Sequence, residues 1–370
     1  MNKEEVKKDK TKSVVAETEE KILAFWNDKQ IFKKTLEKDS PNGNFVFFDG
    51  PPFATGLPHY GHLLAGTIKD VIPRYQTMNG KRVLRRWGWD CHGLPIENLI
   101  EKELGLSTKK DIEELGVDTF NIAARNAVLR YAGEWKKIIP RVGRWVDMDN
   151  DYRTMDTSYT ESVWWSFKKL YDDGLVYKGF KTMQLCPRCE TTLSNFEVNQ
   201  GYKDITDISV YVLFALTDTP DTYVLAWTTT PWTLPGNVAL AIDKKTTYVV
   251  AEKDGKRMIV AQSLVEKVLK ENYTIVDEFL GEKLLGKSYT PIFPYYNNET
   301  LPQRENAWKI YHGDFVTTTD GTGIVHIAPA FGEDDMNLGV QYGLPLIQHV
   351  ATDGTFKKEV TDFAGLHVKP

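Results

Sequence analysis

Two histidines three residues apart, His59 and His62, follow a turn with a double proline and open an apolar helical stretch. The surrounding segment, NFVFFDGPPFATGLPHYGHLLAG at residues 44–66, also places glycines at 50, 56, 61 and 66. A hydrophobic core needs neither the prolines nor the imidazoles. Imidazoles at i and i+3 share one face of a helix's first turn, where unpaired backbone N–H groups and the helix dipole favour an anion. Gly61 between them leaves room for a planar base or a ribose to approach the backbone. The chemistry indicated is the binding of a nucleotide. Two other readings of the pair stay open. One is a metal pair, although helical zinc ligands usually stand at i and i+4 and no partnering glutamate is nearby. The other is a helix start with structural hydrogen bonds alone. Neither a G-x-G-x-x-G fingerprint nor a G-K-[ST] loop occurs at this spacing.

The elements that must hold these residues are legible as patterns. Residues 45–48 read as a buried strand, 59–78 as a helix with a kink at Pro73, and 81–89 as a second strand. A helix over 95–104 carries proline in its first turn. Strand, helix, strand, helix in about sixty residues implies a βαβ unit and a parallel sheet. Ligands of such sheets lie beyond the carboxyl ends of the strands. Gly50, Pro51 and Pro52 end the first strand and Asp90 ends the second, so the two ends can shape one pocket. A short helix over 17–29 precedes them. Residues 121–180 read as largely helical, with their Trp and Tyr in the core. After Asp204 the texture becomes β-branched and aromatic, with a hairpin turn at Asp254–Gly255 and one helix over 263–270. An α/β domain is thus followed by a mainly β one.

The chain has 370 residues, enough for two domains, with 41% hydrophobic and 26% charged residues. No apolar run approaches the roughly 20 residues that span a bilayer. Residues 1–16 are charged and lack an apolar signal core, so a disordered tail and a cytoplasmic protein are expected. Three cysteines exclude a disulfide scaffold. A net charge of −5 still allows a local basic surface to grip RNA. Residues 69–90, with six basic and two acidic residues, are one candidate; a solvated helix face is the other reading. Cys186 and Cys189 form the C-x-x-C pair. It suits half of a tetrahedral zinc site, a redox pair, or coincidence.

His59-Tyr60-Gly61-His62 resembles the HIGH signature of class I aminoacyl-tRNA synthetases, with Tyr in place of Ile. GPPFATGLPHYGH followed by GWDCHGLPIE at 88–97 resembles isoleucyl-tRNA synthetases of the archaeal and eukaryotic-like type. Valyl and leucyl enzymes share the architecture but differ at GWDCHG. The likeness runs from about residue 17 to the end of the chain. It implies the first half of a Rossmann-like catalytic domain over 17–203, including a zinc-ribbon half at 183–198, and an inserted editing domain over 204–370, incomplete at its C-terminus. The implied reaction is ATP-dependent activation of isoleucine, then transfer to tRNA(Ile). His59 and His62 would contact phosphate oxygens, with Mg²⁺ assisting, and Gly61 would admit ATP. Asp90 would hold the substrate ammonium, while Gly50 and Pro51 would wall the amino acid. Cys186 and Cys189 would supply two Zn²⁺ ligands, the others lying beyond Pro370.

The family also explains a β domain. One methylene separates isoleucine from valine and is worth about 1–3 kcal/mol in a pocket, a limit for which these enzymes are the usual illustration. A second, hydrolytic site must then clear Val-tRNA(Ile). WTTTPWTLPGN at 227–237 resembles the threonine-rich strand of that site, and GTGIVHIAPAFGEDD at 321–335 its second wall. Thr228, Thr229 and Thr230 would hold water or the terminal ribose, His326 would orient the ester or the tRNA end, and Asp335 would anchor the α-ammonium. The KMSKS signature is missing from the sequence, so this chain alone is expected not to charge tRNA. A full-length enzyme is expected to be monomeric and free of membrane. A valyl enzyme and an editing-only hydrolase or RNA-binding relative are the alternatives.

Overall fold

The computed structural model describes residues 13–369. The expected tail lies outside the described residues as far as position 12; Ser13 already caps the first helix, its Oγ accepting from Ala16 N at 3.2 Å. Contacts divide the chain into Met1–Tyr177 and Lys178–Pro370. Residues 178–203, grouped by sequence with the first half, therefore group with the second.

The first unit holds α1 (Val14–Asp28), α2 (Ile31–Glu37), α3 (Tyr60–Met78), β1 (Arg86–Trp89), α4 (Leu94–Leu104), α5 (Lys109–Leu115), α6 (Val117–Ala127), α7 (Ala132–Arg141), β2 (Asp147–Arg153) and α8 (Thr157–Asp172). β1 and β2 pair in parallel, as a βαβ connection requires. The strand expected at 45–48 is a correction. Only the parallel bridges Asn44↔Arg82 and Phe53↔Asp90 flank it, and Val46 and Phe48 are exposed. The side chains there alternate, with Phe45 and Phe47 half-buried, which a two-sided apolar run does not disclose.

Trp87, Trp89, Ile96, Ile100, Phe120, Trp135 and Ile139 build this unit's core. The expectation that aromatics of 121–180 are core fails for α8, where Trp164 and Trp165 are exposed and no residue is buried. The segment also contains β2, whose acidic and polar sequence carries no strand signal. The basic run 69–90 is largely structural. Lys69 pairs with Asp49 at 2.6 Å, and the Arg74 guanidinium lies 3.7 Å from the Trp145 ring centroid. Arg85 is buried and donates to Pro73 O at 3.0 Å; burial drops its pKa to about 10.

The second unit continues with the hairpin β3 (Leu185–Cys186) and β4 (Thr191–Thr192), then α9 (Asn195–Asn199). Its main sheet uses β5 (Val210–Ala215), β6 (Thr222–Thr228), β8 (Thr247–Lys253), β9 (Lys256–Ala261) and β10 (Thr274–Leu280), in the order β10-β8-β9-β6-β5. A smaller sheet, β11-β7-β12, is built from β7 (Ala239–Ile242), β11 (Lys309–His312) and β12 (Ile324–Ile327). The helices are α10 (Val265–Leu269) and α11 (Glu333–Tyr342). The predominance of strand agrees with the sequence. Phe214, Val224, Tyr248, Val249, Ile259 and Tyr289 are among the residues of the larger core. No helix among the described residues is long and apolar enough to cross a membrane.

Candidate functional site

In the first unit, His59 is the N-cap of α3 and its backbone is extended, with φ −97° and ψ 172°. Its N–H donates to Nδ1 of His62 at 3.2 Å. That bond uses the Nδ1 lone pair and leaves the Nε2–H of a neutral His62 as donor. The two rings stack with centroids 3.7 Å apart. Burial, then the neighbouring His59 and Lys69, lowers the His62 pKa. Gly61 suits this stack, because a Cβ there would lie tight against it, 3.0 Å from Cε1 of His59. Trp135 forms the floor beneath. Its ring meets His62 edge-on at 4.9 Å and Trp89 at 5.8 Å, while its Nε1 donates to Gly56 O at 2.8 Å.

Asp90 sits beside the proline turn, its N–H donating to Pro52 O at 2.9 Å. Gly50 and Pro51 are held from behind, since Lys69 Nζ donates to Gly50 O at 3.1 Å while also pairing with Asp49. Arg144, nearly buried, makes the second ion pair to Asp49, and Tyr152 OH donates to Asp49 O at 3.1 Å. The turn, the helix start and Asp90 thus share one scaffold. Trp135, Asp49, Lys69 and Arg144 were missed by the sequence reading. Asp49 stood inside the first segment, but its partners arrive from residues distant in sequence.

In the second unit, Thr228, Thr230, His326 and Asp335 line one cavity of about 180 Å³, together with Trp227, Thr233, Val325, Ala328 and Phe331. Thr229 faces a different, adjoining cavity of about 270 Å³, which Thr228 also lines. Thr228 and Thr230 hydroxyls lie 3.3 Å apart. Asp335, in the first turn of α11, accepts from Ala328 N at 2.7 Å, and burial raises its carboxyl to about 6.

His326 is buried and both ring nitrogens are engaged. Asn237 Nδ2 stands 3.1 Å from Nδ1, and Thr233 Oγ1 stands 2.7 Å from Nε2. The Asn237 amide also donates to Ala239 O at 2.9 Å and accepts from Tyr289 OH at 2.7 Å. Ala239's carbonyl can only accept, so the Asn237 nitrogen faces His326 and Nδ1 of His326 must be the acceptor. Nε2 then carries the proton and donates to Thr233, whose hydroxyl donates to Thr230 O at 2.8 Å. Burial, then His349, holds the His326 pKa down at about 4. Thr233 and Asn237 were missed as individual residues, although both lie within the motif at 227–237. His349 carried no sequence signal.

Cys186 and Cys189 share the β3–β4 hairpin, and Arg188 Nη1 donates to Cys189 Sγ at 3.3 Å. Burial and the Cys186 thiol raise the Cys189 pKa. Two sulfurs are half of a tetrahedral set, and no group of three or more His, Cys, Asp or Glu that could hold a metal occurs among the described residues. The described residues therefore do not complete a zinc site.

Residues 21–326 match the family described as tRNA synthetases class I (I, L, M and V), and the chain belongs to that family. Among its relatives it is 47% identical to the isoleucine–tRNA ligase of Treponema denticola, over 96% of this chain and 35% of that protein. It is 48% identical to those of Clostridium kluyveri (98% and 34%) and Bdellovibrio bacteriovorus (96% and 34%). The chain spans about a third of the length of these relatives. The crystal structure of GlLeuRS-CP1 aligns with a TM-score of 0.31 and 17% identity, over 36% of this chain and 60% of that one, too slight a likeness to bear on the fold.

Proposed function

We propose that this chain is the amino-terminal part of a cytoplasmic isoleucine–tRNA ligase. The first unit is half of a Rossmann-like nucleotide site and the second carries most of an inserted hydrolytic domain. In activation, the isoleucine carboxylate attacks the α-phosphorus of ATP and pyrophosphate leaves. Such chemistry depends on positioning and on charge stabilisation. His62 offers Nε2–H to a phosphate oxygen, the start of α3 adds its dipole, and Gly61 lets ATP close on the helix. Mg²⁺ would neutralise phosphate charge. Asp90 binds the substrate ammonium, and Gly50 and Pro51 wall its side chain. Cys186 and Cys189 are two zinc ligands of a set completed from outside these residues. The archaeal or eukaryotic-like subtype suggested by the motifs gains no support from the relatives named above, which come from bacteria.

The observation that carries the hydrolytic half is convergence: Thr228, Thr230, His326 and Asp335, from two distant motifs, face one cavity. Asp335 anchors the α-ammonium of valine esterified to tRNA(Ile), the threonine hydroxyls hold water or ribose, and His326 is a fixed wall for the ester. The test uses the full-length ligase. Asp335→Ala is expected to abolish hydrolysis of Val-tRNA(Ile) and to leave isoleucine activation intact; unchanged hydrolysis overturns the assignment. The 370-residue chain alone is expected to show no ATP–pyrophosphate exchange.

A further inference from the structure

His349 lies outside both motifs of the hydrolytic pocket, yet it is wholly buried behind it. Its Nε2 is 2.9 Å from Trp232 O, an acceptor, so Nε2 bears the proton. Its ring meets Phe331 edge-on at 4.7 Å and stacks near Phe356 at 6.0 Å. Trp232 and Phe331 in turn meet edge-to-face at 5.4 Å. Trp232 belongs to the 3₁₀ turn Pro231–Gly236, which also carries Thr233, the partner of His326. Phe331 lines the cavity and precedes the helix of Asp335. One side chain from a third segment therefore touches both the turn that carries Thr233 and the lining residue Phe331.

The fit has a cost that a plain core residue would not carry. Nδ1 of His349 is buried with no hydrogen-bond partner among the described residues. It is crowded against Gly236, where a Cβ would come within 2.6 Å of it. A phenylalanine would avoid the orphan but could not cap the Trp232 carbonyl. Burial keeps the ring neutral, with its pKa lowered to about 4. A buried polar atom left unmatched costs about 1–3 kcal/mol, so its retention calls for a compensating role.

We propose that His349 is a specificity-determining positioning residue of this pocket. It fixes the separation of the Thr233-bearing turn from Phe331, and so decides which branched aliphatic acyl group of an aminoacyl-tRNA ester the cavity admits. The inference rests on the hydrolytic reading above. Three variants of the full-length ligase test it. His349→Gln keeps a donor and loses the ring; His349→Phe keeps the ring and loses the donor; Gly236→Ala displaces the ring through Nδ1 without changing its chemistry. Hydrolysis of Val-tRNA(Ile) and of Ile-tRNA(Ile) is measured as separate kcat and KM values, alongside isoleucine activation and thermal unfolding. The expected result is a fall of about tenfold in the Val/Ile ratio of kcat/KM, with activation unchanged. A purely structural histidine would lower both hydrolyses together. Any folded variant of His349 that keeps the wild-type ratio overturns the proposal, and loss of fold in one leaves the other two to decide. A wild-type enzyme that does not hydrolyse Val-tRNA(Ile) overturns the hydrolytic reading instead.

Discussion

His326 donates through Nε2 to Thr233 Oγ1, 2.7 Å away, because Asn237 occupies its other nitrogen. The ring therefore has no free lone pair with which to take a proton from water. At pH 7 the ¹⁵N spectrum of histidine-labelled chain should show His326 neutral, with Nε2 protonated and Nδ1 bare. Asn237→Asp should reverse that tautomer, since a carboxylate can only accept and would demand Nδ1–H. A wild-type ring protonated at Nδ1 would sink the assignment.

Acid should destabilise the second unit. His326 and His349 have pKa values lowered to about 4, so between there and about 6.5 the unfolded chain binds protons that the folded one refuses. Stability from each is present above pH 6.5 and lost as pH falls toward 4, on the order of 3 kcal/mol apiece. Asp335 runs the other way. Its carboxyl is raised to about 6, so the fold carries a penalty at pH 7 that is relieved on acidification. Two losses outweigh one gain. Urea unfolding between pH 7 and 4.5 should show falling stability. Asp335→Asn should raise stability at pH 7 by roughly 1–2 kcal/mol while losing hydrolysis; a lowered stability at pH 7 would contradict the raised carboxyl.

Much of this was written in local sequence. The start of α3, its Pro73, the proline-led α4 and the strands β6, β8 and β9 follow from periodicity and turn residues that act within a few positions. β2 was not legible, because DMDNDYR forms a strand only by pairing with β1. Nor was the Asp49 ion-pair cluster, whose partners Lys69 and Arg144 come together only in the fold. In the pocket proposed to be hydrolytic, the two motifs supplied lining residues. The proton arrangement needed Asn237, Ala239 and Tyr289 in space, and His349 joins the pocket only through its long-range bond to Trp232 O and its ring contacts.

Gly88 should tolerate no side chain. A Cβ there would fall 2.1 Å from the Tyr152 ring, which is itself stacked near Tyr159 at 5.8 Å and tied to Asp49 O. Overpacking of this kind costs about 1–3 kcal/mol. Gly88→Ala is expected to lose at least that much in denaturant unfolding. Tyr152→Ala should recover part of it, giving a coupling energy of opposite sign. Equal stability of Gly88→Ala and wild type would remove the steric argument.

Gly61→Ala separates folding from chemistry. The position lies in the first turn of α3, where alanine is the better helix former, and the gain is up to about 1 kcal/mol. Its methyl group would, however, press on the His59 ring at 3.0 Å and 3.1 Å, and His59 is exposed and free to yield. The fold should therefore hold or tighten while the His59 ring is pushed out of register with His62. In the proposed full-length ligase, ATP–pyrophosphate exchange with isoleucine should fall by up to about tenfold, less than the roughly 100-fold of a full ångström misplacement. Thermal unfolding of the same variant should be unchanged or higher. Loss of both together would mean that Gly61 serves the helix, and retention of both would mean that the histidine stack serves nothing in activation.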